Sequence, residues 1–230
     1  MKDKNAILRT YKKDFSFFAL IISLFMYFCK MEEKKKLKII APSHGFVLPY
    51  IKRELPQYEI VIEGDADECT VIIPPDGTIS ADAPNNATVL LCPNVVGTGM
   101  TGLPMELATS IAGGTYFHIV GVDTHLSTIH ASDVAKAVRL SLGKGGHHKV
   151  TDGADPSFHD FAEALAYRLK NKRIMTLKPI LAKFLVSKKL KTLTSTDRTI
   201  DGSAFAEAFD FHPVPVTEYL RTHVYDDESL

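Results

Sequence analysis

The loop PNVVGTG, Pro93 to Gly99, and the segment IHASD, Ile129 to Asp133, hold the residues whose types and spacing point to chemistry. Pro93, Gly97 and Gly99 follow the apolar run TVLLC, so they close the carboxyl end of a strand, the rim at which open α/β sheets take ligands. Bare glycine backbone there lets a ring or a phosphate approach, although an ordinary strand-to-helix turn would use the same residues. His130 and Asp133 suit two jobs, orienting that loop by hydrogen bonds or touching a ligand, and Asp133 also suits a helix cap. His130 and Asp152 are the candidates for acid/base work. Metal chemistry has no support, since the nine histidines include no HExxH and the three cysteines no CxxC.

These loops need a framework of strands and helices to hold them. Leu37 to Ala41 is a short apolar run stopped by Pro42, and Phe46 to Leu55 carries apolar residues at helical spacing, so the pair reads as strand, turn and helix. Tyr58 to Glu63 and Cys69 to Ile73 are β-branched and bounded by Gly and Pro, as short buried strands are. Asp76 to Asn86 is turn chemistry throughout. Thr88 to Cys92 predicts another strand, Pro104 to Ala112 a helix, and YFHIVG a strand. Ser132-Asp133 opens a helix through Leu142, His148 to Thr151 is a strand, and Ser157 caps the amphipathic helix FHDFAEALAYRLK. Arg173 to Leu177 is strand-like. Ile180 to Leu190 is helical, with Phe184, Leu185 and Val186 inward and a basic face outward. Ser203 to Phe209 and Val216 to Val224 close the chain as helices.

At 230 residues and 45% hydrophobic content, one soluble α/β domain is expected. Lys+Arg and Asp+Glu number 27 each, so the bulk charge proposes neither nucleic acid nor a polyanionic substrate, and a small molecule or another protein is the expected partner. Cys29, Cys69 and Cys92 read as reduced, buried thiols of a cytoplasmic protein. Phe15 to Cys29 is an apolar run of about 15 residues, short of the ~20 a spanning helix requires. It is flanked by Lys12 and Lys13 before and Lys30 and Lys34 to Lys36 after, and no small-x-small cleavage site follows. Three readings stand: a short membrane anchor, an uncleaved signal, or residues upstream of a true start at Met31. Residues 1–30 are therefore set apart from a single shortened domain over 31–230, and membrane association would run through 15–29.

From Val89 onward the order of parts resembles the NAD-dependent epimerase/dehydratase family, the extended short-chain dehydrogenase/reductases. That family runs from a strand ending in Arg-Pro to Asn-Val-Tyr-Gly-Pro-Gly, a helix, a strand, a segment like Arg-x-Phe-Ile-His-Val-x-Asp-Val-Ala, then a strand ending near Asp-Gly and a helix opened by Ser. Here the order is LLCPNVVGTG, a helix, YFHIVG, LSTIHASDVAKAV, and KVTDGADPSFHDFAEAL. The resemblance implies a Rossmann-like parallel sheet with reduced strand number plus a small carboxy-terminal α/β substrate-type subdomain. It implies NAD or NADP as cofactor and a nucleotide or nucleotide-sugar ligand, with a homo-oligomer as a further expectation. Carried over position by position, it assigns Gly45, Glu63, Pro93, Asn94 and Gly97 to the cofactor and His130 and Asp133 to the substrate.

The chain departs from the family where the chemistry lies. The family's Gly-x-x-Gly-x-x-Gly turn brings pyrophosphate against bare backbone N–H groups. IIAPSHGFVLPYI keeps only the middle glycine, Gly45, with Pro42 and Leu48 at the other two places. The acid that would hold the ribose, about 20 positions on, is Glu63 or Asp65. The family's Tyr-x-x-x-Lys, in which the Lys and cofactor make the phenol a base, is missing: no Tyr here has Lys four residues later. Only about 15 residues separate Ile73 from Val89, too few for the strands, helices and serine that the family places there. Leu126 stands for the Arg that often meets a nucleotide-sugar diphosphate, and Cys92 for the Arg of Arg-Pro. The expected function is an epimerase/dehydratase-like protein that keeps a dinucleotide or nucleotide-sugar cleft with altered or lost catalysis. The alternative is a non-catalytic interaction protein on the same degenerate fold.

Overall fold

The computed structural model describes residues 34–222, apart from 80, 82, 171–172, 186–190 and 192–193. The apolar run at 15–29, Met31 and the ends of the two helices expected to reach Leu190 and Val224 lie outside the described residues. The chain divides into two units, Met1–Lys35 and Lys36–Leu230, and every element below belongs to the second.

The second unit opens with β1 (Lys36–Ile40), a single 3-10 turn at Gly45–Val47 and α1 (Leu48–Glu54). Pro49 falls in the first turn of α1, where its missing N–H costs nothing. Two strands follow, β2 (Glu59–Val61) and β3 (Glu68–Ile73), and after a turn-rich stretch β4 (Thr88–Leu91). Next come β5 (Val95–Val96), α2 (Gly102–Ala112), β6 (Phe117–Ile119), β7 (Ile129–His130) and α3 (Ala131–Ser141). The remaining elements are β8 (Gly146–Lys149), α4 (Phe158–Arg168), β9 (Met175–Leu177), α5 (Pro179–Leu185), α6 (Ser203–Phe209) and α7 (Val216–Thr222).

Five strands form a parallel sheet in the order β2-β1-β3-β4-β8, the Rossmann-like arrangement with reduced strand number. Thr70 to Ile73 are buried in succession, as befits a central parallel strand. Because side chains alternate across a strand, Ile72 and Leu90 face one way and Val71, Ile73 and Val89 the other. The first face packs on α1 and α3: Leu37, Ile39, Ile72 and Leu90 share a core with Ile51, Leu55, Val134 and Val138. The second face holds a small cluster of Val71, Ile73, Ala87 and Val89, with Ile40, Cys69, Ala83 and Leu91 against it, and no helix residue among the described residues enters it.

β3 and β4 are joined by a short connection. Val71 pairs with Val89 and Ile73 with Leu91, so the two strands are direct parallel neighbours. The described residues of the return over 74–87 include tight turns, Gly77 N–H to Pro74 O and Ala87 N–H to Pro84 O. The 15-residue gap counted in the sequence is thus closed with neither strand nor helix among its described residues.

Beyond the sheet, α2, α4 and α7 enclose a second core around Leu107, Phe161, Leu165 and Leu220. β6 and β9 form a two-stranded parallel sheet, and β5 and β7 another. This is the small carboxy-terminal α/β part. Three expectations are corrected. The last sheet strand is Gly146–Lys149, two residues earlier than expected, because Asp152 N–H is already bonded to Thr128 O. α3 begins at Ala131, one residue before Ser132-Asp133; Asp133 lies in its first turn as expected, and its cap is His130, whose ring accepts from Ser132 N–H. Phe184 does not point inward but is 83% exposed, and Ala182 supplies the buried contact of α5 instead.

Candidate functional site

The rim at the carboxyl ends of β1 and β4 is where the sequence placed most of its candidates. After β1 the chain turns through Ala41–His44, with His44 N–H bonded to Ala41 O and Val47 N–H to His44 O. Gly45 stands open there: a Cβ added to it would meet nothing within 4 Å. Pro42 is exposed and Leu48 lies against the core. The His44 ring is buried beside the backbone of Cys92, and desolvation holds its pKa below the usual value.

The loop after β4 folds down to meet this turn. Thr101 Oγ1 donates to Ser43 O at 2.8 Å, and Thr98 N–H donates to the Tyr50 hydroxyl at 3.1 Å. Gly97 is needed for packing, since a Cβ would lie 2.9 Å from Ala131 Cβ and 3.1 Å from the Tyr50 oxygen. Pro93 is buried, and Asn94 takes a positive φ of 39° while its side-chain N–H₂ donates to Ser127 O at 2.8 Å. The β5 to β7 pairing, Val95 with Ile129 and Val96 with His130, brings these residues beside the His130 segment.

His130 is stacked on Tyr219, ring centroids 3.5 Å apart, with Tyr50 edge-on at 5.7 Å. Its Nδ1 accepts from Ser132 N–H, which leaves the proton of the neutral ring on Nε2. Asp133 is buried; Oδ1 takes Lys136 Nζ at 2.7 Å and Oδ2 takes Val214 N–H at 3.3 Å. It therefore ties α3 to the segment ahead of α7. The structure brings Pro93, Asn94, Gly97, His130 and Asp133 into one neighbourhood with Gly45 across from it. Glu63 stands apart, exposed two residues beyond the end of edge strand β2. Leu126 is fully buried in the second core. His44, Tyr50 and Thr101, which bridge the rim, were not singled out in the sequence. Tyr50 had a usable signal, lying one helical step before Ile51 on the inward face of α1.

Asp152 sits deeper, accepting from Thr128 Oγ1 at 2.7 Å, Val216 N–H at 2.8 Å and Ala154 N–H at 3.1 Å. Burial raises its pKa and these bonds oppose the rise. It lines a cavity of about 430 Å³ with Asp155, Asp201, Ser203 and His212. A second cavity of about 510 Å³ lies between α4, β9 and α7, lined by His159, Glu163, Tyr167, Arg173 and Arg221. The His159 ring lies 4.0 Å from that of His118, whose pKa is lowered by burial first and by His159 second. Among the described residues no His/Cys/Asp/Glu group could hold a metal ion, and no helix is long and apolar enough to cross a membrane. Cys92 is buried and free, and Cys69 is half-buried.

No family model and no curated protein matches this chain. Solved structures do. UDP-N-acetylglucosamine 4-epimerase from Bacillus cereus superposes with a TM-score of 0.53 at 9% identity, over 81% of this chain and 97% of that one. The Bordetella bronchiseptica enzyme WbmF, in complex with NAD+ and UDP, gives 0.52 at 10%, over 82% and 90%. A GDP-L-fucose synthetase from Naegleria fowleri bound to NADP gives 0.54 at 6%, over 83% and 93%. The fold is therefore that of the NAD-dependent epimerases and dehydratases, in a shortened form.

Proposed function

We propose that this chain is an epimerase/dehydratase-like protein that keeps the nucleotide half of the family's site and has lost its catalysis. The direct pairing of β3 with β4 carries this reading. Those strands flank the place where the family houses its serine and Tyr/Lys pair, and with them as neighbours there is no volume for that helix and strand. A base, a nucleophile and a hydride path would all have to come from elsewhere.

The two ends of the rim differ in what they could still bind. At the β1–β2 end, Gly45 is open and Glu63 is exposed beyond β2, where a carboxylate accepts from ribose hydroxyls. At the β4 end, Tyr50, Thr98, Ser43 and Thr101 are joined across the space a nicotinamide would need. The neighbours' NAD+, NADP and UDP make a nucleotide the ligand class of choice, with the adenosine side of a dinucleotide favoured over its nicotinamide. NAD+ and ADP should then raise the melting temperature equally, and Glu63→Gln should weaken both by about tenfold, the ~1.4 kcal/mol of a good charge-assisted bond. NAD+ binding more than tenfold tighter than ADP would sink the half-site. Conversion of a nucleotide sugar in the presence of NAD+, followed by chromatography of the sugar product, would sink lost catalysis.

The bridged rim also favours a second reading, a non-catalytic interaction protein in a cytoplasmic setting. A flat thermal response to both nucleotides, together with a partner-sized or dimeric mass by light scattering, would select it.

A further inference from the structure

The chain is electrically neutral as a whole, yet its charge is unevenly spread. Between Glu163 and Asp197 there are nine Lys and Arg and not one Asp or Glu, so a third of the 27 cations fall in one acid-free stretch. Within it lies α5, seven residues long, which buries Ala182 and projects large apolar side chains into solvent. Ile180 is 73% exposed, Leu181 50% and Phe184 83%, and Met175 on β9 is also exposed. Lys178 and Arg173, both exposed, precede them. Among the described residues Arg173 and Arg221, which line the 510 Å³ cavity beside this stretch, are in no ion pair.

Three adjacent protruding apolar side chains are costly in water, and nine cations in one acid-free stretch of sequence add self-repulsion. One environment relieves both at once: a surface with negative charge at the level of the lysines and hydrocarbon just beneath it. We propose that α5 and the basic residues ahead of it dock on an anionic lipid surface, with Ile180, Leu181 and Phe184 entering the headgroup and acyl boundary and Lys178 and Arg173 held at the phosphates. A nucleic acid would satisfy the cations and leave the apolar triad wet. This inference does not depend on the nucleotide half-site.

The chain contains no Trp, so Phe184→Trp in the full-length protein gives one reporter at the docking point. Because Phe184 is exposed, the substitution leaves the core alone. Vesicles of phosphatidylcholine with about a third phosphatidylserine should shift its emission to the blue, pure phosphatidylcholine should not, and about 0.5 M salt should reverse the shift. Adding Lys178→Gln should weaken the vesicle affinity about fivefold, and Ile180→Ser should weaken it further without changing the salt dependence. Absence of a shift would overturn the proposal even if the protein sediments with vesicles through another segment. So would an equal shift with neutral vesicles, a shift produced by duplex DNA, or a concentration-dependent shift without lipid that tracks a larger mass.

Discussion

On one face of the sheet Ile39, Ile72 and Leu90 lie in a continuous core with Tyr50, Val134 and Phe205, drawn from three helices. On the other face Val71, Ile73 and Val89 cluster with Ala87 of the return loop, and among the described residues no helix joins them. A parallel sheet is ordinarily covered on both sides by its crossover helices. Here the β2 to β3 and β3 to β4 connections contain no helix among their described residues, while the connections that run through α1 and α3 supply the well-packed face. The difference teaches that one layer of helices both covers the sheet and positions the rim, while the other face is closed by the return loop.

The sharpest way to break this comparison is a matched pair of substitutions at neighbouring residues of one strand. Ile72→Ala should cost about 4 kcal/mol and Ile73→Ala about 2 kcal/mol, read from urea midpoints at constant slope. Equal costs would mean that the second face is as well packed as the first. Next in size, Gly97→Ala should destabilise by about 2 kcal/mol, because the added methyl must push Ala131 or Tyr50 aside. Gly45→Ala, in open space, should change stability by less than about 0.5 kcal/mol. Tyr50→Phe should cost about 1 kcal/mol by releasing Thr98 N–H, and it should loosen hydrogen-exchange protection at Thr98.

The smallest expected effect concerns pH. His44, in the turn after β1, has a folded pKa below its ordinary 6.5. The native state therefore binds fewer protons than the unfolded chain, and His44 contributes stability that is intact above about pH 6.5 and lost as pH falls toward its folded pKa. His44→Phe should flatten the fall in melting temperature between neutral and mildly acid pH. An unchanged slope would assign that acid sensitivity to His118 or to the carboxylates.

Much of the fold was legible because it depends on local pattern. The β-branched runs around Val71 and Val89, the Ser157 cap and the 15-residue gap could be read without partners, and the gap excluded the extra strands and helices; the pairing of β3 with β4 came from the structure. What could not be read was set at long range. Asp133 looks like a cap by its position in the first turn, but beside Lys136 it also takes Val214 N–H, 81 residues away. Phe184 lies on an apolar helical face, and periodicity marks such a face without saying whether anything covers it. Gly97 was legible as a special glycine, although the reason for it, the approach of Tyr50 and Ala131, comes from two other helices.

The return between β3 and β4 has a practical consequence. Each strand-and-helix repeat of a parallel sheet leaves and re-enters at the same ends and fills one step of the strand lattice, so the sheet around residues 74–87 resembles a crystal with one row removed and the gap closed. Such a seam is a natural port for grafting. A folded guest domain whose termini lie close together should be accepted between Asp76 and Asn86 with the five-strand register intact, making this compact sheet a carrier for inserted modules.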